Sequence, residues 1–150
     1  MELKNLKKIT WFKFRVWPKI WSGKFAVLGY IDARDCMDIL DKVVWPENRH
    51  KKFYTEKGNL FCSVGIKIGD NIVRKDDCWT ESNTEQEKGE ASDAFKRACV
   101  NWGIGRFLYT LPRIYISEVE EKNNKHDITN LVKTKFKSKL SSRYETNNSI

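Results

Sequence analysis

The chain has 150 residues, 40% of them apolar and 13% aromatic, enough to bury the core of one ordinary domain. Its four cysteines (Cys36, Cys62, Cys78, Cys99) are far apart, with no C-x-x-C pair and only His50 and His126 to join them, which argues against a zinc site and a disulfide scaffold. No apolar run reaches the length of a membrane span, and the Lys-rich start lacks the apolar segment of a signal peptide, so a cytoplasmic protein with no membrane contact is expected.

The formal net charge of +8 is unevenly spread. Residues 1–24 hold seven Lys and Arg against the single acid Glu2, residues 25–116 hold fourteen of each sign, and residues 117–150 hold seven bases and five acids. A basic arm on a neutral body suits a polyanionic partner without requiring one.

Residues 9–17 alternate as a strand, with Phe12, Phe14 and Val16 on one face and Trp11, Lys13, Arg15 and Trp17 on the other. The second face interleaves aromatics and bases, a pattern used by single-stranded nucleic-acid platforms and equally by sheet edges that pack on a neighbour. A turn over 18–23 returns the chain as a second strand over 24–30. Asp32 is placed to N-cap a helix running to about Val44, with Ala33, Cys36, Met37, Leu40, Val43 and Val44 facing inward. Asp35, Asp38 and Asp41 read as its solvated face, since no further ligand closes a metal cage around them.

A third strand is expected over 50–56, followed by a turn at Lys57, Gly58 and Asn59. Leu60, Cys62, Val64, Ile66 and Ile68 then alternate with Phe61, Ser63, Gly65 and Lys67, the clearest strand signal in the chain. Gly69, Asp70 and Asn71 turn into a strand over 72–79. Cys62 falls on a predicted apolar face, where a free thiol is a small hydrophobe.

Thr84 with Glu87, or Ser82 with Glu85, offers a capping box for a long helix. Ala91, Ala94, Phe95, Ala98, Cys99 and Trp102 form its inward stripe, and Gly103 is its stop. Glu85, Glu87, Glu90 and Asp93 come early and Lys96 and Arg97 late, an order that suits the helix dipole. Lys96 and Arg97 point off the apolar stripe, and Asp93 is spaced to pair with Arg97.

The composition changes beyond Pro112. Residues 117–126 and 141–150 are rich in Glu, Lys, Asn and Ser and are expected to be loosely ordered. Between them Ile128, Leu131, Val132, Phe136 and Leu140 keep helical spacing beside Lys133, Lys135, Lys137 and Lys139. This reads as a short basic amphipathic helix that docks on the body, on DNA or on a partner, with its own body the default. Residues 1–116 are thus expected to be the core with a basic N-terminal arm, and 117–150 a polar, partly disordered tail.

Enzyme motifs are missing. There is no G-x-x-x-x-G-K-[ST] loop, and Gly103 and Gly105 follow a helix where a phosphate cradle would open one. Asp76, Asp77 and Glu81 lie near a strand end, but Asp76 and Asp77 face opposite sides of it, which counts against a metal-dependent nuclease. The order helix, three strands, helix is also that of a double-stranded RNA-binding module, but there the second helix opens with Lys, and here it opens with acids.

The segments YIDARDCMDILDKVV (30–44) and EKGEASDAFKRACVNWGIGRFLYTLP (87–112), with the three-strand run between them, resemble the single-strand annealing proteins of the Rad fifty-two/twenty-two superfamily, most closely the phage Sak-type recombinases. The resemblance covers roughly 9–116. It implies an α+β core in which an antiparallel sheet of about five strands, in the order β-β-α-β-β-β-α, packs on a long helix. It further implies recombination and repair by annealing of single-stranded DNA, without ATP, cofactor, metal or hydrolytic site, in a homo-oligomeric ring with a basic rim. A phage-encoded member would work in the bacterial host cell. A single-strand-binding protein or another recombination factor would meet the tail.

Carried onto this sequence, the resemblance makes Lys96 and Arg97 the DNA-binding pair. Arg34 lies one position from a basic groove residue, and Arg106 stands in for a base that the family has where this chain has Val100. Lys13 and Arg15 join them from the basic–aromatic strand face. Phosphate contacts suit annealing better than stacking does: ten bases stacked on aromatic rings would oppose pairing by about 10–30 kcal/mol, whereas pairing leaves a gripped backbone where it is. Trp11 and Trp17 are therefore expected to be mostly structural.

Overall fold

The computed structural model describes residues 1–79, 86–124, 128–139 and 145–146, of which 86–88 and 145–146 are described for backbone only. The two candidate capping boxes ahead of the long helix, and His126, lie outside the described residues or side chains. The elements in order are α1 (Asn5–Lys8), β1 (Trp11–Trp21), β2 (Lys24–Tyr30), α2 (Ala33–Val44), a 3-10 turn (Pro46–Asn48), β3 (Arg49–Glu56), β4 (Asn59–Ile68), β5 (Asn71–Cys78) and α3 (Gln86–Asn101). A second 3-10 turn (Arg106–Thr110), β6 (Ile114–Ser117), α4 (Glu118–Asn123), α5 (Ile128–Lys139) and β7 (Glu145–Thr146) follow. The fold is α+β, and from β1 to α3 its order is the β-β-α-β-β-β-α expected.

In place of one sheet, the strands form two, ordered β3-β4-β5 and β6-β2-β1-β7. They belong to two compact units, one made of Met1–Ile9 with Asp32–Arg106, the other of Thr10–Ile31 with Phe107–Ile150. The physical reason is that each sheet has an apolar face of its own and a helix to cover it.

In the first unit the meander β3-β4-β5 is joined by two-residue turns. Lys57 and Gly58 both have positive φ, as a type I′ hairpin requires. Cys62, Val64 and Ile66 are fully buried on the face that α3 covers with Ala94, Phe95, Ala98 and Cys99. Ala91, expected on that stripe, is exposed. The indole N–H of Trp102 donates to the Val64 carbonyl at 2.9 Å, fixing the end of the helix over the central strand. Burial pushes the Cys62 thiol up to about 11, consistent with its part as a small hydrophobe.

Helix α2 begins where the sequence indicates. Asp32 accepts from the Asp35 N–H at 2.9 Å, and Asp35 returns the contact to the Asp32 N–H at 2.8 Å, a reciprocal capping box. Asp35 is consequently buried and not part of a solvated acidic face. Ile39 joins Cys36, Leu40 and Val44 in the core, while Met37 and Val43 are half-buried, so the inward stripe is turned slightly from the one expected. Asp41 is also engaged, accepting from the Arg49 guanidinium at the start of β3 through both carboxylate oxygens.

In the second unit β1 and β2 pair antiparallel, with β6 on the far side of β2 and β7 parallel to β1. Phe12 and Phe14 are fully buried. Phe136 of α5 meets Phe12 edge to face, ring centroids 5.3 Å apart, and Phe14 at 6.2 Å. The amphipathic helix expected within the tail is thus part of this core. Where 117–126 was expected to be loosely ordered, Glu118–Asn123 form α4, N-capped by Ser117 with Glu120 in a second capping box.

Candidate nucleic-acid interface

Helix α3 ends in a Schellman motif. The Ile104 N–H donates to Cys99 O at 3.1 Å and the Gly103 N–H to Val100 O at 2.9 Å. Gly103 has φ +100°, and a β-carbon there would run into the Lys7 side chain. The site thus needs glycine for its backbone and for its space. Arg106, exposed, donates from Nη2 to Val100 O at 2.8 Å and Asn101 O at 3.2 Å, so it satisfies the orphan carbonyls of the helix it follows.

The two late bases of α3 differ. Arg97 points toward β5, its Nε 3.6 Å from an Asp77 carboxylate oxygen. Asn101 donates to Asp76 O at 2.9 Å and reaches Asp77 at 3.4 Å, so Asp77 sits between two α3 side chains. Lys96 is half-exposed and makes no hydrogen bond or ion pair among the described residues. Arg34, in the first turn of α2, is exposed and likewise uncommitted among them.

Two further bases, not singled out from the sequence, flank the central strand on the α3 side. Lys51 and Lys75 both lie in register with Val64. The Lys51 ammonium sits 5.0 Å from the Phe95 ring centroid, and that of Lys75 sits 4.8 Å from the Trp102 ring while donating to Asn101 O at 3.2 Å. Their even spacing with an apolar β4 position was the available signal. In an alternating strand, a base in register with a core residue extends past the helix edge and keeps its charge in water.

The opposite face of the same sheet carries Tyr54, which donates to Asp76 at 2.6 Å and stacks on Phe61 with centroids 5.3 Å apart. The hydrogen bond to Asp76 pushes the Tyr54 phenol up to about 12. Asp76 and Asp77 therefore do face opposite sides of β5.

Lys13 and Arg15 lie in the second unit. Arg15 is exposed, its guanidinium 5.6 Å from the Trp17 ring and 5.7 Å from the Tyr30 ring, and Lys13 pairs with Tyr30 in register on that face. Arg15, Trp17 and Tyr30 line a cavity of about 670 Å³ that also includes Glu121. The bases of the sequence reading thus fall into a set on the first unit (Arg34, Lys96, Arg97, Arg106) and a pair on the second.

The model of the Rad52/22 family double-strand break repair proteins matches residues 47–128, more than half of the chain. The chain belongs to that family. Among curated proteins, a single-stranded DNA-binding protein DdrA of Deinococcus deserti is 33% identical over 97 residues, covering 63% of this chain and 48% of that protein. The DdrA of Deinococcus radiodurans is 34% identical over 89 residues, covering 58% of this chain and 42% of that protein. The chain thus spans about half the length, or less, of the curated relatives it matches. No solved structure matches it significantly. The family segment includes β3, β4, β5 and α3, with Lys51, Lys75, Lys96 and Arg97. Among the described residues no helix is long and apolar enough to cross a membrane.

Proposed function

We propose that this member of the Rad52/22 family binds single-stranded DNA by its phosphates and accelerates the pairing of complementary strands without nucleotide or metal, in recombination and repair. The observation that carries the reading is Lys96: the helix at the centre of the family-matching segment sends out a cation uncommitted among the described residues. The names of the two relatives support a single-stranded ligand over a duplex.

Lys96 is the leading phosphate contact. Arg97 contributes with its charge partly met by Asp77, Arg34 adds a second exposed cation, and Arg106 adds field from a guanidinium already bonded to α3. Lys13 and Arg15, on the β1 face of the second unit, add cations of that unit's own. Point-like contacts to phosphate hold the strand and leave base edges free to pair.

A few such contacts bind weakly at cellular salt, because each falls with counterion release. A homo-oligomer, closed as a ring, would repeat them along one strand and supply affinity through multivalency. The test is annealing of two complementary oligonucleotides by the purified protein without nucleotide or metal, with sedimentation to read its assembly. Annealing no faster than the spontaneous rate would refute the proposal.

A further inference from the structure

We propose that the cavity between α1 and the C-terminal end of α2 takes one nucleobase of the bound single strand, stacked on Trp45. This rests on the single-strand reading above and adds to it a contact that reads bases.

Helix α2 ends at Val44, and the Trp45 N–H donates to Asp41 O at 3.0 Å. Pro46 follows, and the residue before a proline is pushed to extended ψ; Trp45 has ψ 148°. Its φ, however, is +71°, a region that a bulky L-residue adopts at a cost and that glycine occupies freely. Burial does not offset that cost, since Trp45 is 63% exposed. A large aromatic is thus presented to solvent where a glycine would relax the chain.

It is presented to a cavity of about 550 Å³, lined also by Glu2, Asn5, Lys8, Lys42 and Val43. That volume lies within the range of small-ligand sites. The chemistry is that of a nucleotide subsite: an indole plane for a base, Val43 as an apolar wall, and an Asn5 amide that can donate to or accept from a base edge. Lys8 and Lys42, both exposed and uncommitted among the described residues, are suited to the flanking phosphates. The one carboxylate, Glu2, is paired with Lys4 at 3.5 Å. Lys8 and Lys42 give the cavity a cationic rim, which suits the phosphodiester backbone of a nucleic acid. One captured base per protomer leaves the neighbouring bases free to pair.

The experiment compares binding of a short oligothymidylate with an abasic phosphodiester of equal length. The parent chain should prefer the base-bearing strand by between about fivefold and a hundredfold, the contribution of one stacked base. Trp45→Gly should bring that ratio close to one, bind the abasic strand as the parent does, and melt no lower. Trp45→Phe should keep most of the preference. A ratio unchanged in Trp45→Gly overturns the inference while leaving phosphate binding intact. So does a Trp45→Gly variant that sediments as a smaller species with its base preference kept, since Trp45 would then serve self-association. A parent that binds neither strand refutes the single-strand reading, and the inference with it.

Discussion

Arg97 on α3 and Asp77 on β5 stand 3.6 Å apart, so one member of the late basic pair is shared with the fold while its neighbour Lys96 is not. Substitution should separate the two. Lys96→Ala should leave the unfolding midpoint unchanged and lower the salt slope of single-strand binding by about 0.7, the share of one phosphate contact. Arg97→Ala should lower that slope by less and destabilise by at most about 1 kcal/mol, because its partner is partly exposed. Measured slopes that do not move would remove both residues from the interface.

Gly103 offers a test of the helix terminus. Gly103→Ala places a side chain at φ +100° and drives its β-carbon toward Lys7. The left-handed backbone alone costs about 1–2 kcal/mol, and displacement of Lys7 adds to it. A lowered denaturant midpoint should follow, and Gly103→Asn should be milder than Gly103→Val, since Asn tolerates that region. Equal effects would mean that the backbone is not the constraint.

Much of this was legible in the sequence, and the reasons are local. Asp32 before an apolar period marked the start of α2, Trp45-Pro46 its end, and Gly103 the end of α3, because caps and breakers act within a few residues. The alternation of 60–68 located β4. What was not legible depends on partners distant in sequence. Asp35, read as solvated, is buried because it closes its own capping box, and Asp41, half-buried, is engaged because Arg49 reaches it. Arg97 stands beside Asp77, twenty residues away across a strand–helix contact, a neighbour that no helical spacing indicates. The division into two sheets was hidden for the same reason, since it required knowing that Phe136 returns to Phe12. For the candidate site, the exposure of Lys96 off the apolar stripe could be read from the chain, whereas the placement of Lys51 and Lys75 beside α3 needed the register of three strands.

Tyr54 gives a prediction in pH. Its phenol is raised from 10.0 to about 12 by donating to Asp76. The group is raised in the folded chain, so its contribution to stability is complete below about pH 10 and is lost as pH rises toward 12, where the unfolded chain has already released the proton. Tyr54→Phe should flatten that part of the stability profile, and ultraviolet difference titration against the parent should show one tyrosine ionising near pH 12. A Tyr54 that titrates near 10 would mean that the bond to Asp76 does not persist in solution. The effect should be small in magnitude, because the ring is only half-buried.

Phe136 decides whether α5 is a mobile tail or part of a core. Its ring is buried against Phe12 and Phe14, and α5 is further tied down where the Lys135 ammonium meets Glu120 at 2.8 Å and Tyr115 O at 3.1 Å. A tail helix docked loosely would lose little on truncation of one side chain. A core position loses the transfer energy of the ring and leaves a cavity beside two phenylalanines, about 3–5 kcal/mol in total. Phe136→Ala should therefore lower the unfolding midpoint followed by far-ultraviolet circular dichroism, and Phe136→Leu should recover most of the loss. Lys137→Ala, on an exposed position of the same helix, is the control and should leave the midpoint in place. If Phe136→Ala melts with its parent, the β1–β2 sheet holds together without α5.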